Sequence, residues 1–127
     1  MNVMIAARNA HNRATKLDVR EITRRLNQQL GATLVAGLTG SKDRKISYRW
    51  AQHDGPEPKE ATIRRLQFAY TQWTLISEVE GEHVARMWFI GSNPWLDSET
   101  PVDGIRDGRF KEVAAAAQAF VEDTFSG

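Results

Sequence analysis

The chain has 127 residues, 26% of them charged, no cysteine and a formal net charge of +1, which suits one compact domain or two closely packed helical lobes and leaves no room for a large active-site cavity. The lack of cysteine excludes a disulfide scaffold, thiolate zinc sites and a cysteine nucleophile, and fits a reducing cytoplasm. The near-neutral sum hides a polarity: residues 1–65 carry 13 Lys and Arg against 6 Asp and Glu, and residues 66–127 carry 4 against 10. Such a division suits an anionic partner at one end and a different partner at the other, unless the halves simply attract each other.

Residues 1–15, rich in Asn, Ala and Arg without a sustained period, are expected to form a flexible arm or a frayed helix. The apolar run at 4–7 is far too short for a signal-peptide core, and no stretch approaches the roughly 20 apolar residues a bilayer needs, so the expectation is a soluble cytoplasmic protein with no membrane partner. Val19, Ile22, Leu26 and Leu30 then recur at helical spacing, with Asp18 as N-cap and Gly31 as stop. A short helix is expected over 33–38, with Thr33 capping it and Leu34, Val35 and Leu38 on its apolar face. A third runs from about Asp43 to His53, with Ile46, Trp50 and His53 inward, and ends at Asp54-Gly55-Pro56.

A long helix follows over 59–80, striped by Ile63, Leu66, Tyr70, Trp73, Ile76 and Val79, and joins the two halves. The next, over 82–90, is expected to bring Val84, Met87 and Trp88 inward before Gly91-Ser92-Asn93-Pro94 breaks it. Thr100 caps a short turn opened by Pro101, with Asp103 near its positive end. Phe110, Val113, Ala117, Phe120, Val121 and Phe125 define the last helix. No segment alternates with period two for long enough to demand a strand, so the fold class expected is all-α.

Three short helices with tight turns over 18–53 match a helix-turn-helix, in which the third element enters the major groove. With Ile46 and Trp50 in the core, Lys42, Arg44, Lys45, Tyr48, Arg49 and Gln52 turn outward as the candidate DNA-binding residues. Long cations and amides reach phosphates and base edges, arginine pairing with guanine and glutamine with adenine. One such unit binds weakly at physiological salt, so a homodimer or larger assembly on paired half-sites is implied. Cationic helix faces are commonly just solvated surfaces, but here the turn spacing and the basic half coincide.

The parts of an enzyme are missing from the pattern. His11, His53 and His83 are scattered and none lies one helical turn from another ligand, so neither a metal site nor a histidine-based triad is assembled. Asp103 and Asp107, and the cluster Glu78, Glu80 and Glu82, could hold Mg²⁺ or act as acid and base, but acidic helix ends are usually dipole and solvation chemistry. Gly37-Leu38-Thr39-Gly40-Ser41-Lys42 echoes a phosphate loop without its full spacing or its preceding strand. A protein without catalytic, cofactor or metal sites is expected.

The stretch Met87-Trp88-Phe89-Ile90-Gly91-Ser92-Asn93-Pro94-Trp95-Leu96, the Thr100-Pro101 helix start and Asp107-Gly108-Arg109-Phe110 ahead of Val113 stand in the order of a known module. Together with Ile46-Ser47-Tyr48-Arg49-Trp50, followed by Gly55 and Pro56, they give residues 18–125 a resemblance to Xre/MbcA/ParS-type antitoxins. The resemblance implies a helix-turn-helix lobe (1–58, with the arm) packed on a carboxy-terminal helical toxin-binding domain (59–127). It also implies a type II antitoxin that covers the active site of a RES-type NAD-degrading toxin and, with that toxin, represses its own operon through operator DNA. The Ala-rich run 114–117 and the end Thr124-Phe125-Ser126-Gly127 depart from the commoner pattern, which leaves open how the tail meets a toxin. Candidate toxin contacts are Trp95, Leu96, Arg106, Arg109, Phe110 and Phe125. Trp95, after Asn-Pro in a loop, is either an exposed anchor or tucked into its own core; the arginines suit acidic groups on a partner. The competing reading is a stand-alone helix-turn-helix transcription regulator whose second half dimerises.

Overall fold

The computed structural model describes residues 3–126, with the side chains of 3–12 and 17–123. The described residues form α1 (Val3–Lys16), α2 (Val19–Gln29), α3 (Ala32–Thr39), α4 (Ile46–Trp50), α5 (Glu60–Glu80), α6 (Glu82–Ile90), a 3₁₀ turn (Pro94–Leu96), α7 (Pro101–Arg106) and α8 (Phe110–Ser126). The fold is all-α, as expected, with no strand among these residues.

α5 is the axis. It packs against α1, α2, α3, α6, α7 and α8, and residues 72–76 are buried all round. A helix surrounded in this way needs no polar face. One continuous core joins Ile22, Leu26 and Leu38 of the first half to Leu66, Trp73 and Ile76 of α5 and to Phe89, Ile105, Val113 and Val121 of the second. Each fully buried Leu, Ile or Phe in it contributes about 1.5–3 kcal/mol. Trp73, Phe89 and Trp88 form its aromatic centre, with Trp88 edge-on to Phe89 at 5.2 Å.

Several local expectations hold. Asp18 caps α2 by accepting from the Arg20 amide at 2.8 Å, and Thr100 caps α7 by accepting from the Asp103 amide at 3.1 Å. In α8, Ala116 and Ala117 lie buried within the chain. Gly104 is what lets α7 lie against α8, since a Cβ there would stand 2.7 Å from Val113 Cγ2.

Other expectations are corrected. Of the two forms expected for the amino-terminal segment, the helix is the one present: α1 is anchored through Val3, Ala6 and Ala10; alanines bury too little area to announce a stripe in sequence yet allow helices to approach closely. Thr33 is exposed, and α3 starts one residue earlier from Gly31, at φ +90°. The third helix is only Ile46–Trp50: Asp43 folds the chain before it into a turn by accepting from the Lys45 amide, and Arg20 claims the carbonyls after it. Ile46 and Trp50 are half-buried and Ser47 is the buried residue, while His53 is exposed. On α6 the inward residues are Ala85, Trp88 and Phe89; Val84 is half-buried and Met87 is 54% exposed.

Candidate functional site

Two surfaces carry the sequence-derived candidates. The first is built by α2, α3 and α4, each of which packs on the other two. A five-residue helix cannot hold itself in water, and α4 is held from behind. The Arg20 guanidinium, rooted on α2, donates to the carbonyls of Trp50 at 3.2 Å, Gly55 at 2.9 Å and Gln52, while Asn27 Nδ2 donates to the Ser47 carbonyl at 3.2 Å. Five donors in a planar fork suit such multiple capture. Gly55 closes the turn: a Cβ there would lie 1.9 Å from the Arg49 carbonyl oxygen.

In front of this support Lys42, Arg44, Lys45, Tyr48, Arg49 and Gln52 are all exposed. Only Tyr48 and Arg49 sit on α4 itself; Lys42, Arg44 and Lys45 occupy the turn leading into it, and Gln52 the turn after it. This corrects the expectation of one cationic helix face. Arg49 is held by Asp43 at 3.2 Å, whereas Lys42, Arg44 and Lys45 have no ion pair among the described residues. Three cations on a rigid turn, beside an exposed phenol, can meet consecutive phosphates.

α2 carries a second charged group. Glu21 accepts from both Arg24 and Arg25, and those hydrogen bonds pull its carboxyl down to about 2. Arg25 also donates to Tyr70 on α5 at 2.8 Å, and its guanidinium is shifted upward by Tyr70 first and Glu21 second.

The second surface is apolar. Trp95 is 60% exposed, because Asn93 accepts from the Trp95 amide at 2.9 Å and winds the 3₁₀ turn so that Leu96, not Trp95, drops into the core. Asp97 and Ser98 then adopt left-handed backbone, with φ of 56° and 69°, a conformation short polar residues tolerate best. Met87, 54% exposed, and Ile90, 41% exposed, lie one turn apart on α6. Val84, Met87, Trp88, Pro94 and Phe120 line a groove of about 380 Å³ between α6, the 3₁₀ turn and α8. Trp88 Nε1, buried at its wall, has no partner among the described residues.

The six candidate toxin contacts are thus dispersed. Leu96 is fully buried and is no surface contact. Phe110 is half-buried, stacked on Phe68 at 4.6 Å and 14°. Arg106 is tied to Asp103 at 3.0 Å and Asp107 at 3.1 Å; Asp107 is held below the usual carboxylate range by that hydrogen bond. Arg109 bridges Asp97 at 3.4 Å and Glu99 at 3.5 Å, bracing the loop that presents Trp95. The side chain of Phe125 lies outside the described residues. Sequence reasoning did not place Met87 and Ile90 at the surface or Phe120 in the lining of the groove. The signal was there in α6, whose sequence is apolar on two faces although only one can point into the core.

His11, His53 and His83 are exposed. Among the described residues no group of three His, Asp or Glu side chains could hold a metal ion, and no helix is long and apolar enough to cross a membrane. Comparisons with known proteins found no matching family model, no matching curated protein and no matching solved structure.

Proposed function

We propose that this chain is a DNA-binding antitoxin, which neutralises a RES-type NAD-degrading toxin by docking over its active site and represses its own operon together with that toxin. The observation that carries the reading is the pairing, in one continuously packed body, of two unlike exposed surfaces: the cationic turn Lys42, Arg44, Lys45 with Tyr48, and the apolar surface of Met87, Ile90 and Trp95. A duplex suits the first, since phosphates dominate nucleic-acid affinity. A protein suits the second, because exposed aromatic and methionine side chains beside a groove mark interfaces rather than solvated surface. The choice of toxin class comes from the resemblance of residues 18–125 to the antitoxin family.

The same apolar surface also favours a second reading, a stand-alone regulator whose second copy covers Trp95 and Met87. NAD content in cells expressing the product of the adjacent gene, with and without this chain, separates the two. NAD loss that this chain prevents, with the two proteins co-purifying, is the expected result. Loss that it cannot prevent, or no loss, overturns the antitoxin reading and leaves the regulator.

A further inference from the structure

Beside Trp95, adjoining the groove, is a hollow of about 140 Å³ lined by Asn93, Pro94, Trp95, Ala116, Ala119, Phe120 and Asp123. It exists because α8 carries only methyl groups at 116 and 119, one turn apart, where larger residues would fill the space. Its walls are mostly apolar and aromatic, with Asn93 and the Asp123 carboxylate as the polar lining. At roughly 30 Å³ per water it has room for about five waters, the scale of one side chain.

The four carboxylates around the Trp95 loop and α7 are already engaged: Asp97 and Glu99 meet Arg109, and Asp103 and Asp107 meet Arg106. Asp123 has no ion pair among the described residues, and it lines the same hollow as an indole that is 60% exposed. An aliphatic stem ending in a cation satisfies every wall at once. Its methylenes lie along Pro94, Ala119 and Phe120, its charge rests against the Trp95 ring and its donors meet the Asp123 carboxylate. Guanidinium fits better than ammonium, because it stacks flat on an aromatic ring while presenting two parallel N–H groups to a carboxylate.

We infer that the hollow between Trp95 and Asp123 is the receptor for an arginine side chain projecting from the protein partner. It rests on the reading of the Trp95 surface as a partner-binding face and adds what the partner must bring to it.

The test is an NMR titration of the ¹⁵N-labelled full chain with N-acetyl-arginine methylamide, its lysine counterpart and its neutral near-isostere, the citrulline derivative. Saturable shifts of the Trp95 indole N–H and of residues 116–123 are expected with arginine, and about three- to fivefold weaker binding with citrulline. Asp123→Asn should erase that difference, and Ala119→Leu, which fills the hollow without touching the core contacts of Ala117 and Val121, should abolish binding with unchanged circular dichroism. Equal binding of arginine and citrulline, stronger binding of lysine than arginine, shifts confined to other regions, or full binding by Ala119→Leu would each overturn the assignment. No toxin takes part, so a failed titration leaves the antitoxin reading standing, and a failed NAD rescue leaves the arginine receptor standing.

Discussion

Arg20 on α2 donates to the Gly55 carbonyl at 2.9 Å across 35 residues of chain, and this hydrogen bond closes the turn that ends the candidate DNA-contacting segment. The same guanidinium also reaches the Trp50 and Gln52 carbonyls, so removing it leaves three acceptors to water or to nothing. Arg20→Ala should lower stability by about 1.5–3 kcal/mol, with faster amide exchange concentrated at residues 46–55. Arg20→Lys should recover only part, since a point charge replaces a fork. Urea unfolding and hydrogen exchange measure both; unchanged exchange at 46–55 would show that α4 stands without the clamp.

Gly55→Ala attacks the same turn from the other side. Its Cβ would lie 1.9 Å from the Arg49 carbonyl oxygen and 2.9 Å from the Arg49 carbonyl carbon, and backbone cannot swing away as a side chain does. A loss of about 1–3 kcal/mol is expected. Because an opened turn no longer offers its carbonyls to Arg20, the double variant with Arg20→Ala should lose less than the sum of the two. Strict additivity in the double-mutant cycle would mean the two residues act independently.

How much of this was legible in the sequence depends on the length of the signal. α2, α5 and the Thr100-Pro101 start of α7 were readable because large apolar side chains repeat along a face or a capping residue stands at the start. α1 was not, since its anchors are Val3, Ala6 and Ala10, and alanine carries almost no hydrophobic contrast. The extent of α4 was hidden because its ends are set by Arg20 and Asp43, and a bond across 35 residues has no local trace. The outward orientation of Lys42, Arg44, Lys45, Tyr48, Arg49 and Gln52 was legible, but their division between α4 and the turns on either side of it was not. In the second half, one residue of Trp95-Leu96 had to be buried; which one depends on the Asn93 cap rather than on hydrophobicity.

That adjacent pair should respond to mutation in opposite ways. Leu96 is fully buried between the 3₁₀ turn and the core, so Leu96→Ala should cost about 2–5 kcal/mol through the cavity it leaves. Trp95→Ala should stay within about 0.5 kcal/mol of the parent yet weaken capture of the protein partner, because an exposed aromatic anchor serves the complex and not the fold. Thermal unfolding and co-purification, measured side by side, check this. Severe destabilisation by Trp95→Ala would remove Trp95 from the partner surface.

On the cationic turn, charge that is already neutralised inside the molecule should matter less. Arg49 is engaged by Asp43, whereas Arg44 and Lys45 have no ion pair among the described residues. The double variant Arg44→Ala, Lys45→Ala should therefore reduce the slope of log K against log salt by about 2 on duplex DNA, one for each phosphate that keeps its counterion. Arg49→Ala should change it less. Fluorescence anisotropy over a salt series reads both, and an unchanged slope in the double variant would move the nucleic-acid face elsewhere.

Acid should act on the fold through Glu21. Its carboxyl is drawn from 4.5 down to about 2, first by its hydrogen bond from Arg24 and then by that from Arg25. A carboxylate held below its unfolded value binds fewer protons when folded, so its contribution is fully present above about pH 4.5 and drains away as the pH falls towards 2. Asp107, held low by Arg106, acts in the same direction. Glu21→Gln should accordingly be less stable than the parent at neutral pH, draw level with it near about pH 2, and show a flatter acid limb between. Urea unfolding across that range measures the limb directly. Parallel curves for parent and variant would mean that Arg24 and Arg25 hold Glu21 no more tightly in the folded chain than in the unfolded one.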